Sequence, residues 1–154
     1  MNKTIRPFLI FLSALVTAGH VNTVTAHTLS LSLGADISAT DMIQINCSTD
    51  QGAATDHLFF QIQTNAWQYD PAYTPNNSRL NAQVGKQGIM STTAPANDFV
   101  NNSPAIRAPG GNGSYYVLVN KTAPGAVALT VTLHCLSADE SIHTGTDWII
   151  LQQQ

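Results

Sequence analysis

The chain has 154 residues, six Lys/Arg against nine Asp/Glu, a formal net charge of −3 and only 10% charged side chains. That length suits one ordinary domain with a substantial buried core. So little positive charge gives no electrostatic footing on phosphate backbones or anionic lipid, which sets aside nucleic acid and membrane surfaces as partners.

Residues 1–26 read as a secretory signal peptide. Lys3 and Arg6 make a positive start, Pro7 to Ala18 is an apolar run, and Val24-Thr25-Ala26 is a small-residue cleavage site. The apolar run falls short of the roughly 20 residues that a bilayer-spanning helix needs. Cleavage after Ala26 leaves residues 27–154, a mature chain of 128 residues (154 less 26) that begins at His27, while Val16-Thr17-Ala18 offers an earlier site. The mature portion keeps Arg79, Lys86, Arg107 and Lys121 against all nine acidic residues, a net charge of −5. The expectation is a secreted or periplasmic single domain with no membrane span.

Period-2 alternation then dominates. Leu29, Leu31 and Leu33 share one face of a strand over 28–34, and Ile43, Ile45 and Cys47 one face over 42–47. Leu58, Phe60 and Ile62 alternate next, and Leu80 to Gly85 is one further strand in an otherwise irregular stretch from Asn65 to Ala108. Tyr115 to Val119 is aromatic and β-branched. Over 126–135, Val127, Leu129, Val131, Leu133 and Cys135 face one way, and Ala128, Thr130, Thr132 and His134 the other. Asp147 to Gln152 closes the chain as a short apolar strand. Pro109-Gly110-Gly111-Asn112-Gly113 and Ala123-Pro124-Gly125 read as tight hairpin reversals. Together these predict an all-β fold, an antiparallel β-sandwich of jelly-roll or immunoglobulin-like kind. Cys47 and Cys135 are the only cysteines, and in an exported chain they are expected to form one disulfide joining the two sheets.

Ala39 to Ile45, the alternating Leu58 to Ile62, Gly113-Ser-Tyr-Tyr-Val-Leu-Val119 and Leu129 to Leu133 occur in an order that resembles the bacterial pre-peptidase C-terminal domain. The resemblance spans about residues 36–135. It implies a small β-sandwich of the type appended to secreted enzymes.

Catalytic signatures are missing: no G-x-S-x-G, H-E-x-x-H, phosphate-cradling loop or dinucleotide fingerprint occurs. The one adjacent acidic pair, Asp139-Glu140, reads as a solvated turn, and the chain is expected not to be an enzyme. The histidines carry more. If strands 28–34 and 42–47 form a hairpin and the next connection returns antiparallel, His27, His57, His134 and His143 collect at one pole, with the disulfide pinning Cys135 there. Imidazole suits Cu(II) and Zn(II). A mature N-terminal His27, chelating through its α-amine and ring, resembles the histidine brace of exported copper proteins; that resemblance implies copper, with His57, His134 or His143 as the added ligand. Trp67, Tyr69 and Tyr73 form an aromatic stretch that would serve a sugar-stacking platform. The leading expectation is therefore a non-catalytic binding or structural protein with a protein or surface-polymer partner. A copper-binding protein comes second, and a carbohydrate-binding or adhesive module third.

Overall fold

The alternation of apolar and polar residues becomes an alternation of buried and exposed ones in the computed structural model, which describes residues 27–68, 79–95 and 99–154. The expected signal peptide with both candidate cleavage sites, and Tyr69 and Tyr73, lie outside the described residues. Among the described residues, nine strands run in chain order: β1 His27–Leu33, β2 Thr40–Ser48, β3 His57–Trp67, β4 Leu80–Lys86, β5 Ile89–Thr93, β6 Ile106–Pro109, β7 Gly113–Lys121, β8 Val127–Leu136 and β9 Gly145–Gln152. They form two antiparallel sheets, ordered β1-β8-β3-β6 and β5-β4-β7-β2-β9. No helix among the described residues is long and apolar enough to cross a membrane.

The core fills the space between the sheets. Ile43 and Ile45 from β2, Tyr115 and Val117 from β7, Phe60 and Ile62 from β3, and Leu129, Val131 and Leu133 from β8 are fully buried. These are the inward sets that the alternation marks, so the sandwich expected from the sequence is the one observed. Cys47 on β2 and Cys135 on β8 are bonded across the two sheets, with Cα atoms 5.6 Å apart. A bridge that closes a loop of 88 residues stabilises by about 4–5 kcal/mol in the chain-entropy treatment.

The pairing of strands differs from the hairpins expected. β1 pairs with β8, not β2, and β1 and β2 lie in different sheets. Neither predicted reversal makes a hairpin: 110–112 carries the chain from β6 in one sheet to β7 in the other, and 122–126 carries it from β7 back to β8. The reason lies in the strands. Each flanking strand has one mostly apolar face, and a chain that changes sheets through a short loop buries both faces in the same core. β5 and β6 also stand in the stretch from Asn65 to Ala108 that reads as irregular. β6 has four residues and β5 packs mostly exposed side chains, so neither leaves a strong periodic trace.

A bulge decides the fate of Trp67. On β3 the register against β8 shifts between Thr64 and Ala66. The extra residue reverses the inward–outward parity, so the side chain of Trp67 turns into the core, where it is 8% exposed. Trp67 therefore caps the core and leaves no indole face for a sugar to stack on.

Candidate functional site

β8 carries both the disulfide and the first candidate ligand. His134 lies on its outer face, beside Phe59 of β3, yet it is 7% exposed. Three rings cover it: Phe59 with centroids 5.8 Å away, His143 at 4.6 Å and His27 at 6.1 Å. His27 opens β1 and forms the first rung of the β1–β8 ladder opposite Leu133, one residue short of His134. Its ring meets Trp148 of β9 edge-on at 5.8 Å. The corner thus lies where β1, an edge strand of one sheet, meets β9, an edge strand of the other.

His143 arrives by a local device. The chain leaving β8 makes a tight loop over 137–144, pinned by Asp139, which accepts hydrogen bonds from the Ser137 and Ser141 hydroxyls and the Ser141 amide. These bonds hold the Asp139 carboxyl down at about 2. The Ser137 amide donates to Ile142 O and the Thr144 amide to Cys135 O, and a β-bridge joins Leu136 to His143. The loop therefore folds back along β8 and lays His143 over His134.

Electrostatics favour the neutral form of His134 and His143. Burial pushes the His134 imidazole down to about 4, and the neighbouring His143 and His27 push it the same way. His143 is lowered by burial and by His27. Neutral imidazole is the form that ligates a metal. The Nδ1 atoms of His27 and His134 are buried with no hydrogen-bond partner among the described residues, an unsatisfied pair of a kind that folded proteins seldom keep. The three rings are neighbours without converging. Among the described residues, no three His, Cys, Asp or Glu side chains form a ready cage for a metal ion.

His57 does not join them. It opens β3 opposite Leu136 and Pro109, and its Nδ1 lies 2.9 Å from Asp56 Oδ2. Its Nε2 is 3.4 Å from Glu140 Oε1, and Glu140 in turn receives Arg107 Nε at 2.5 Å and Nη2 at 3.2 Å. Both ring nitrogens face carboxylates, Nδ1 at hydrogen-bond distance and Nε2 without a hydrogen bond among the described residues, so His57 stands beside the Arg107–Glu140 pair. Of the four candidate ligands, the structure brings together His27, His134 and His143 and sets His57 apart. Asp139 and Glu140 make the turn expected of them, although Glu140 also pairs with Arg107. The roles of Phe59 and Trp148 as walls of the corner were missed by reasoning from sequence. Phe59 left a trace, because an aromatic at an outward position of a strand needs a cover. Trp148 left none.

Comparison of the chain with protein-family models, curated proteins and solved structures finds no match.

Proposed function

We propose that this chain is exported as a non-catalytic β-sandwich and that its mature form binds a transition-metal ion, Cu(II) foremost, at the corner of His27, His134 and His143. The observation that carries the reading is the pair of buried Nδ1 atoms on His27 and His134, with no hydrogen-bond partner among the described residues, beside a third imidazole whose ring lies 4.6 Å from that of His134. Cleavage after Ala26 supplies what the unprocessed chain lacks. The backbone nitrogen of His27 changes from an amide, which ligates only after losing its proton, to an amine that forms a chelate with its own Nδ1. His134 then lies within one residue of that amine along the ladder, and His143, partly exposed, is free to turn its ring toward the ion. Export is supported by the leader-like first 26 residues and by an inter-sheet disulfide of the kind that oxidising compartments maintain.

The test is a Cu(II) titration of protein whose intact mass shows that it begins at His27, followed by calorimetry and by quenching of Trp148. One ion per chain is expected, with quenching that disappears in Trp148→Phe. A short N-terminal extension should lower affinity by orders of magnitude while the fold survives, and His134→Ala should weaken binding further. Equal affinity in the extended and mature proteins would show that the amine takes no part and would defeat this reading.

A further inference from the structure

The outer face of the five-stranded sheet is a regular surface that the histidine corner does not use. The strand register assigns its outward rows. The central row crosses all five strands as Ile149, Gln44, Tyr116, Gly85 and Met90. Tyr116 is 43% exposed, Ile149 54% and Met90 64%. Gly85 has no side chain beside the Tyr116 ring, and the space it leaves is part of a shallow groove of about 310 Å³ whose lining includes Tyr116, Leu118, Ile89, Met90 and Lys86, whose ammonium is taken up by Gly111 O and Asn112 O. Next to Tyr116 a small amide network is already built. Gln44 Nε2 donates to Asn46 Oδ1 at 2.9 Å and to Ser114 Oγ at 3.2 Å, and Ser114 Oγ donates to Asn46 Oδ1 at 2.7 Å. These bonds occupy the Gln44 amide nitrogen and the Asn46 oxygen. They leave the Gln44 oxygen as an acceptor and the Asn46 nitrogen as a donor. Among the outward positions of these strands, Asp147 is the sole charged residue.

From this arrangement we infer that the outer face of the five-stranded sheet is a docking surface for a neutral polysaccharide. An acceptor and a donor on two side chains fixed by one hydrogen-bond network suit the hydroxyls of a sugar. The exposed Tyr116 ring offers a face for the C–H side of a pyranose, and Gly85 opens the track that lets the chain continue. The near absence of charge fits an uncharged polymer and disfavours an acidic glycan or an ionic peptide. A second copy of this chain is the competing occupant, and the polar inner strands argue against it: β2 and β7 turn Gln44, Asn46, Ser114 and Asn120 outward, where the centre of a homodimer interface is more apolar.

The experiment is affinity electrophoresis of the mature protein, in EDTA so that the metal corner is silent, in native gels cast with hydroxyethylcellulose, galactomannan or dextran. Retardation by at least one polymer is expected. Tyr116→Ala should weaken it about tenfold, the loss expected when one aromatic contact is removed. Gly85→Thr should abolish it by filling the groove, and Gln44→Ala should weaken it. A Cβ at Gly85 meets nothing closer than 3.7 Å, so that variant should fold, which its thermal transition reports. His134→Ala should migrate as the wild type, which separates this proposal from the metal reading. Retardation by none of the polymers would overturn it, as would retardation unchanged in both Tyr116→Ala and Gly85→Thr. So would a concentration-dependent dimer in sedimentation that Tyr116→Ala breaks, because the face would then belong to a second copy.

Discussion

His57 and His134 lie on the same outer face of the same sheet, on neighbouring strands, and the loop over 137–144 reaches both. Its Glu140 goes to His57 and Arg107, and its His143 goes to His134. The outcomes are opposite. His57 has a carboxylate within hydrogen-bond distance of Nδ1 and a second one 3.4 Å from Nε2, which makes no hydrogen bond among the described residues; His134 is packed among rings, its Nδ1 likewise without a partner there. The Asp56 contact occupies Nδ1 of His57 and holds that ring in place. A histidine among aromatic rings and other imidazoles stays neutral and keeps its nitrogens for something else. Residue type is shared, so the neighbours alone decide which histidine can ligate.

The largest effect expected on this division comes from the disulfide, because Cys135 adjoins His134 and ties β8 to the other sheet. Cys135→Ala should destabilise the protein by about 2–5 kcal/mol in urea denaturation. It should also loosen the histidine corner more than the ion-pair corner, since Thr144 bonds to the backbone of Cys135 and sets the position of His143. A thiol assay that finds two reactive cysteines in the native exported protein would contradict the bridge.

A smaller effect follows from acid. The folded pKa of His134, about 4, lies below its ordinary value near 6.5. Between those values the unfolded chain takes up a proton that the folded chain refuses, so stability is full above about 6.5 and is lost as pH falls toward 4. The loss from this residue is on the order of 3 kcal/mol, read as a falling urea midpoint between pH 7 and pH 4. His134→Gln should flatten that slope. His143→Gln should flatten it in part, since His143 is itself lowered and also helps to lower His134. An unchanged slope in His134→Gln would place the acid lability elsewhere and undo the contrast between the two histidines.

Much of the sandwich was legible because each strand of the core carries its own pattern. Val131 and Leu133 against Thr130 and Thr132 tell inward from outward without any knowledge of partners. Pairing is not local information, and the loops 110–112 and 122–126 look like hairpin turns whether the next strand returns to the same sheet or crosses to the other. The histidine pole was reached through a pairing of β1 with β2 that does not form. His27 and His134 meet instead because β1 pairs with β8. The exclusion of His57 was not legible at all. It depends on Glu140 and Arg107, which are distant in sequence and meet only through the β3–β6 register and the turn after β8.

The smallest expected effect is the most pointed test of whether the two corners are separate. The Arg107–Glu140 pair is bidentate but exposed, and such pairs add little to stability and are screened by salt. Glu140→Gln should therefore leave the urea midpoint within error at physiological ionic strength. It does remove the charge facing His57 Nε2, while Asp56 keeps its contact with Nδ1. The imidazole resonances of His57 should consequently move in NMR spectra. Those of His134 and His143 should stay in place, because the turn that carries His143 is pinned by Asp139 and by backbone bonds, not by Glu140. If His134 and His143 shift as strongly as His57, the loop transmits between the corners. The ion pairs at His57 would then be part of what positions the metal ligands.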